Sequence, residues 1–447
     1  MRGRIRAKVV GLTAIAAIGV AGLAPWTSTA IAVLAPTSSN YSLAKGMSLT
    51  TIRYPSDADG LPQEVRLLTV TPAQGPHVDI AQADTTFGPR ETTSSIVQAA
   101  GASAGVNGDF MTDWEAPLHA TMIDGEIWTS GYGGAAFAMT SDGQRAWIGR
   151  PRLVSSLRPV RVRYDIKPID LSAWNAQLPQ GGEVAVYTAR GGSKLPPPGE
   201  SSPSSSDPAW CEARLTPVTG SDPQWSNTQK VSITRRYKVV SQPEPCPKTP
   251  LAIGPDPENV VIASRAAFDG GRAIMRLTVG DIVRLSWGFR GWPGAIDVQG
   301  GSPMLVDDGV NVGPPYYSGA PHVLYYNPRT ALGITSGCTD TQSSTACDVL
   351  ILTNDGRQTD TDWSRGWKMP ALADEMIKQG SVFAMNLDGG GSTTMWVAQR
   401  STAYCQTNTS PSGCLVNRPS YSTGERTVIQ AFMVLPGDDP GTPASLR

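Results

Sequence analysis

SVFAMNLDGGGSTT, at residues 381–394, runs an apolar stretch straight into three consecutive glycines. Val382, Phe383, Ala384, Met385 and Leu387 read as a buried strand. Three glycines in a row cost backbone entropy, so something requires bent or closely approached backbone at 389–391. Successive N–H groups in such a turn can cradle an anion such as phosphate. Asn386 and Asp388 stand at the strand end, and Ser392, Thr393 and Thr394 add hydroxyls. A tight turn between two strands is the competing reading. A P-loop is excluded, because no Lys precedes Ser392 and the G-x-x-x-x-G-K spacing is absent.

Upstream, PALADEMIKQ (370–379) predicts a helix with Pro370 at its first position and Gly380 just past its end. ETTSSIVQAA (91–100) predicts a second, short helix. Most of the remaining text is strand-like. TMIDGEIW (121–128) reads as a hairpin turning at Asp124-Gly125, and 135–149 repeats the style at Asp142-Gly143. Residues 151–190 alternate apolar and polar. Further strands are expected at 231–240, 259–265, 273–285, 349–353 and 426–435. The fold class is α+β: a β-rich single large domain with mixed sheets and few helices, spanning 56–436. Residues 33–55 read as a flexible leader, 191–209 (GGSKLPPPGESSPSSSDPA) as a Pro/Ser-rich loop insertion, and 437–447 as a tail.

The chain begins with Arg2, Arg4, Arg6 and Lys8, an apolar run from Val9 to about Leu23, and Ala30-Ile31-Ala32. That is the pattern of a cleaved signal peptide over 1–32, so a secreted, extracellular location is expected. The apolar run is short of the roughly 20 residues that span a bilayer, so no stable membrane anchor is expected. Net charge is −1 and becomes −5 once the four basic residues of 1–32 are removed. A broad nucleic-acid surface is thereby excluded, and anion binding must rest on a few placed arginines and amides. Six cysteines in an exported chain suggest disulfides. Cys338 with Cys347 and Cys405 with Cys414 are close in sequence, which leaves Cys211 with Cys246. Zinc is disfavoured, since no C-x-x-C spacing exists and only His77, His119 and His322 are present. Arg outnumbers Lys 28 to 9, a usage that suggests a bacterial source.

Four other groups could carry chemistry. They are Asn107-Gly108-Asp109 after a strand, Arg329-Thr330 before ALGI, Asn354-Asp355-Gly356-Arg357 after VLILT, and Glu425-Arg426 at the last strand. Taken singly, each is a surface polar group or an Asx turn. Gly101-Ala102-Ser103-Ala104-Gly105 matches G-x-S-x-G, but the expected helix precedes the Ser and the strand follows it, the reverse of a nucleophile elbow. Ser42-Leu43-Ala44-Lys45 lies in the expected leader and is discarded. Asn408-Thr409-Ser410 is a glycosylation sequon. Trp114, Trp128, Trp287, Trp292, Trp363 and Trp367 lie near the motif groups, where some could stack on sugar rings.

In series, these groups resemble the phosphodiester glycosidase family. The matching text is VNGDF (106–110), MIDGEIW (122–128), AFAMTSDG (136–143), GGSPMLVDDG (300–309), PRTALGIT (328–335), LILTNDGRQ (350–358), AMNLDGGGSTTM (384–395) and ER (425–426). The resemblance spans about 75–435. It implies a hydrolase that cleaves the sugar C1–phosphate bond of glycosyl-1-phosphodiesters of the N-acetylglucosamine type, in envelope or environmental glycans. It also implies a pocket of Asn107, Asp109, Arg329, Arg357, Asn386, Gly389, Gly390, Gly391, Ser392, Thr393 and Arg426 for substrate. Asp388, then Asp355 and Glu425, are the candidate catalytic carboxylates. The expected partner is a glycan or sugar phosphodiester. No cofactor or metal is assigned, although Asp109, Asp355 and Asp388 could hold Ca²⁺ through oxygen ligands. Two alternatives stay open: a glycoside hydrolase acting on a bacterial polysaccharide, and a catalytically silent glycan-binding protein.

Overall fold

Three sheets enclose one core beneath the glycine turn. The computed structural model describes residues 35–160, 167–176, 184–191, 210–228, 231–241, 258–314, 325–339, 346–360, 362–399, 401–410 and 412–437. The first sheet has eight strands, in the order Thr37–Ala44, Met47–Tyr54, Gln63–Val70, Val349–Asn354, Arg329–Ile334, Phe383–Asn386, Met304–Asp307 and Val310–Asn311, all antiparallel. The second has six: Thr407–Ser410, Gly413–Leu415, Met395–Val397, Ala104–Asn107, Gln430–Leu435 and His77–Gln82. The third, of five strands, carries both expected hairpins, with Asp124 and Gly125 in left-handed backbone at the first turn. Leu49, Leu68, Ile351 and Met385 of the first sheet meet Val106 and Phe432 of the second and Phe137 of the third in one buried cluster.

The five strands that position the site are labelled β1 (Ala104–Asn107), β2 (Arg329–Ile334), β3 (Val349–Asn354), β4 (Phe383–Asn386) and β5 (Gln430–Leu435). All are buried along nearly their whole length, which is why they read as continuous apolar runs rather than as alternating ones. Helix α1 (Thr93–Ala99) covers the outer face of the second sheet through Ile96 and Val97. Helix α2 is Asp269–Ile274, and helix α3 (Met369–Lys378) covers the first sheet through Leu372, Ala373 and Met376. Pro370 lies in the first turn of α3, and Gly380 has φ +97° beyond its end, as the sequence predicts.

A fourth sheet of eight strands, from Leu153 to Phe289, curls back on itself, because Trp210–Pro217 pairs with both Val260–Arg265 and Val231–Ser241. Among the described residues its one parallel pair joins Ile169–Trp174 to Val184–Thr188, which makes it a mixed sheet. Leu157, Val186, Leu215, Ile262 and Leu285 belong to the cluster it encloses. The fold class is therefore as expected: strand-rich, with few helices.

Three expectations are corrected. Residues 37–54 are not a flexible leader but two paired strands, with Met47, Leu49, Ile52 and Tyr54 buried. The polar text TSSNYSLA (37–44) hides the first of these, which is held by backbone pairing at a sheet edge. Residues 273–285 are not one strand. Helix α2 ends at Ile274, and the strand begins at Ile282 after a turn at Gly280, whose φ is +98°. The expected strand at 426–435 is likewise split, into Thr427–Val428 and β5.

Disulfides join Cys338 to Cys347 and Cys405 to Cys414, as the spacing suggests. Closing loops this short contributes about 2–3 kcal/mol each through the unfolded chain. The signal segment, all but the first residue of the 191–209 insertion, Cys246 and all but the first residue of the tail lie outside the described residues. No helix among the described residues is long and apolar enough to cross a membrane.

Candidate active site

The ends of β1 and β4 come from different sheets and are tied together by one amide. Asn107, fully buried, accepts from the Thr330 hydroxyl at 2.8 Å and from the Thr394 N–H at 3.2 Å. Its Nδ2 donates to the Asp388 carbonyl at 2.7 Å. Gly108 then takes the Asp388 N–H on its own carbonyl at 3.1 Å. The Asn-Gly and Asn-Leu-Asp strand ends are thus two halves of one construction.

Asp388 is partly exposed, with Oδ1 accepting from Gly389 N–H at 2.8 Å and Oδ2 from the Ser392 hydroxyl at 2.6 Å. Burial raises its carboxyl above the ordinary value. The bonds from Ser392 and Gly389 and the Arg426 charge oppose that rise, and the nearby Asp109 adds to it. Arg426 Nη1 reaches Ser392 Oγ at 3.4 Å. A carboxylate, a buried hydroxyl and a guanidinium therefore stand in a row at the turn.

The glycines have specific causes. Gly390 has φ +61°, and a β-carbon there would stand 3.1 Å from Arg357 Nη1. At Gly389 a β-carbon would press on the Pro328 carbonyl at 2.9 Å. The expected amide cradle is smaller than the sequence suggests. Gly389 N–H is used by Asp388, and Gly390 N–H donates to Pro328 at 2.9 Å. Only Gly391 N–H has no partner among the described residues. Arg357 is exposed, with its Nε on Asn327 Oδ1 at 2.8 Å.

Asp109 is buried, and it holds a residue that the sequence reading passed over. Its Oδ1 lies 2.6 Å from His119 Nδ1, and its Oδ2 accepts the His119 N–H at 2.7 Å. Burial alone would lower the His119 pKa; the Asp109 charge and hydrogen bond outweigh it, and the net shift is upward. Nε2 has no hydrogen-bond partner among the described residues. Gly131, Gly134 and Gly300 close so tightly on His119 that a β-carbon on any of them would come within 2.5 Å of it. The available signal was that crowd of glycines, which only the fold gathers.

The remaining expected residues have other occupations. Asp355 is buried, with its oxygens taken by Trp363 Nε1 at 2.9 Å and by Arg418 N–H at 3.0 and 3.1 Å. Burial pushes its carboxyl up to about 6, against Arg66 and these donors. It fastens the 417–418 segment and makes no hydrogen bond to the Asp388 group. Glu425 takes Ser94 N–H at 2.9 Å and Ser94 Oγ at 2.5 Å, in the first turn of α1. Arg329 is buried, with Nε on the Trp367 carbonyl at 2.9 Å and Nη2 on that of Tyr325 at 3.0 Å; burial and Arg357 push it down to about 10. Asn386 ties down Ser302, and Thr393 is wholly buried.

Among the described residues, no group of three or more His, Cys, Asp or Glu could hold a metal ion, so Asp109, Asp355 and Asp388 do not form the calcium site allowed by the sequence. A polar depression of about 100 Å³, lined by Arg53, Glu64, Arg66 and Gln406 among others, shares no residue with the Asp388 group.

Residues 233–435 match the phosphodiester glycosidase family. The stretch includes Arg329, Arg357, the glycine turn and Arg426, while Asn107, Asp109 and His119 lie before it. No curated protein matches the chain in sequence. Among solved structures, the chain is similar to a hypothetical protein from Synechocystis, at 19% identity and TM-score 0.60, over 90% of this chain and 64% of that one. The chain thus spans less than two-thirds of that relative's length. It is also similar to a protein from Burkholderia pseudomallei K96243 named as exported, at 17% identity and TM-score 0.59, over 90% of this chain and 97% of that one. At these identities the likeness is one of fold. The catalytic domain of zebrafish N-acetylglucosamine-1-phosphodiester α-N-acetylglucosaminidase, auto-inhibited by its pro-peptide, aligns at 13% identity and TM-score 0.40, over 90% of this chain and 88% of that one.

Proposed function

We propose that this chain is an extracellular hydrolase of glycosyl-1-phosphodiesters of the N-acetylglucosamine type. The observation that carries the reading is the row Asp388–Ser392–Arg426 on a glycine turn, with Arg357 beside it. A phosphate monoester leaves C1 readily once its oxygens are stabilised. Arg357, Arg426 and the Gly391 N–H are the donors for that charge. Asp388, partly exposed and with a raised pKa, takes the proton of the water that attacks C1. The C1–O bond breaks with its electron pair on the phosphate oxygen, and His119 Nε2–H supplies the proton there. His119 and Asp388 then exchange protons with solvent. The family match over 233–435, the two disulfides and the neighbour named as exported support hydrolase chemistry outside the cell.

The test is release of phosphate monoester from an N-acetylglucosaminyl phosphodiester by the purified chain. Absence of turnover on any glycosyl phosphodiester sinks the reading. One observation favours a second reading. The Asp109 carboxylate keeps His119 protonated to higher pH, so a general acid is at hand, which an ordinary glycoside needs more than a phosphodiester does. Faster cleavage of an aryl glycoside than of the phosphodiester would establish that alternative instead.

A further inference from the structure

Of the tryptophans that the sequence offers for sugar stacking, none is exposed, and Trp114 is half-buried. Trp128, Trp287, Trp292 and Trp367 are buried, and Trp363 is half-buried under Arg418, whose guanidinium carbon lies 3.4 Å from its ring centre. The accessible rings are tyrosines. Among the described residues, the exposed large aromatic side chains are Tyr132 (49%), Tyr325 (62%) and Tyr421 (47%), and all three adjoin the candidate site. Tyr132 lies in Gly131-Tyr132-Gly133-Gly134, the loop packed on His119, and its ring is 6.2 Å from that of Trp114. Tyr421 Cδ2 stands 3.2 Å from where a Gly391 β-carbon would be, with Arg426 Cδ at 3.6 Å from the same point. Tyr325 meets the site through its carbonyl, which accepts from Arg329.

Exposed rings cost solvation, and chance would scatter them over a surface this large. Here two of them sit on loops packed against candidate residues, Tyr132 beside His119 and Tyr421 beside the glycine turn. Both loops keep their neighbouring positions small, so each ring is the principal side chain its loop presents. A pyranose ring has an apolar C–H face and polar edges. An aromatic face beside charged donors is the complement of that surface.

We propose that Tyr132 and Tyr421 are substrate-positioning residues whose ring faces stack on the pyranose of the bound glycosyl phosphodiester. The inference rests on the reading of the site as one for a sugar phosphodiester. Neither phenol takes part in proton transfer.

The test uses Tyr132→Ala, Tyr421→Ala and the two Phe variants in the full chain, with two independent readouts. Steady-state hydrolysis of an N-acetylglucosaminyl phosphodiester should show KM raised roughly 2–10-fold in each Ala variant, with kcat little changed and with the Phe variants restored. Calorimetric binding of an N-acetylglucosamine oligosaccharide should weaken by a similar factor without any turnover. Wild-type hydrolysis with unchanged KM and binding in both Ala variants overturns this inference alone. Loss confined to kcat overturns it as well. Binding that weakens in the Ala variants of a chain that hydrolyses nothing keeps the stacking role and removes the proposed reaction. A chain that neither binds nor hydrolyses overturns both.

Discussion

Asp79→Asn should make the protein more stable at neutral pH, because the fold keeps a carboxyl that it can hardly afford to ionise. Asp79 and Asp297 are both nearly inaccessible, and Asp124 adds its charge to each. Asp297 Oδ1 accepts from the Asp124 N–H at 2.9 Å, but its Oδ2 is buried without a partner. Asp79 Oδ1 takes only the N–H of Ile80, at 2.6 Å. Burial, against the hydrogen bond from Ile80 and with the charge of Asp124, raises Asp79 to about 7 from 3.8. Burial first, then Asp79 and Asp124, holds Asp297 well above its ordinary value. A carboxyl raised on folding binds its proton more tightly in the folded state. Stability is therefore fully present below the unfolded value and falls as pH rises to the folded one. For Asp79 the window runs from about pH 4 to about pH 7. About three pH units at ~1.4 kcal/mol each give a ceiling of about 4 kcal/mol. Asparagine keeps the acceptor for Ile80 N–H and removes the titration. Thermal unfolding of both proteins between pH 4 and pH 8 should show the wild type losing stability with pH and the variant losing less. At pH 8 the variant should melt several degrees higher, since one kcal/mol shifts a domain of this size by roughly 2 °C. A variant that melts lower at pH 8, or a wild type whose stability rises across this window, would refute the reasoning.

Three further outcomes are expected from the site. Asp388→Asn should lower kcat by roughly 10²–10⁴-fold while the protein stays folded, because Asn can still accept from Gly389 N–H and the Ser392 hydroxyl can turn to meet it; hydrolysis assays with circular dichroism check both parts. Asp109→Asn removes the charge that raises His119, so the alkaline limb of the kcat/KM profile should move to lower pH, and an unmoved limb would exclude His119 as the acid. Glu425→Ala should cost about 1 kcal/mol of stability, like loss of a helix cap, with kcat changed far less than by Asp388→Asn, as denaturant titration and kinetics would show.

Much of this architecture was legible from local text. The strand before the glycine turn, the Pro370 and Gly380 punctuation of α3, both Asp-Gly hairpins and two cysteine pairs rest on interactions within about a dozen residues. The first strand was missed for the opposite reason. Residues 37–44 are polar, and the pairing to Met47–Tyr54 holds them through main-chain hydrogen bonds that carry little side-chain signal. The fourth sheet's closure was equally hidden, since one strand's choice of two partners leaves no pattern in that strand alone.

By itself, the sequence determined that a strand ends in Asn-Leu-Asp and three glycines, and that the carboxylate stands beside backbone left free of side chains. It also determined which polar residues were candidates. Tertiary structure divided them. Asp388, Arg357, Arg426 and the glycine turn reach the surface, while Asn107, Asp109, Asp355 and Arg329 are buried, with their hydrogen bonds taken by protein partners. It also brought in His119 and the exposed tyrosines. The physical reason is that a polar side chain's role depends on whether its hydrogen bonds are filled by protein or left for a ligand. Asn107 is filled by Thr330 and Thr394, more than two hundred residues away, and no local pattern contains that contact.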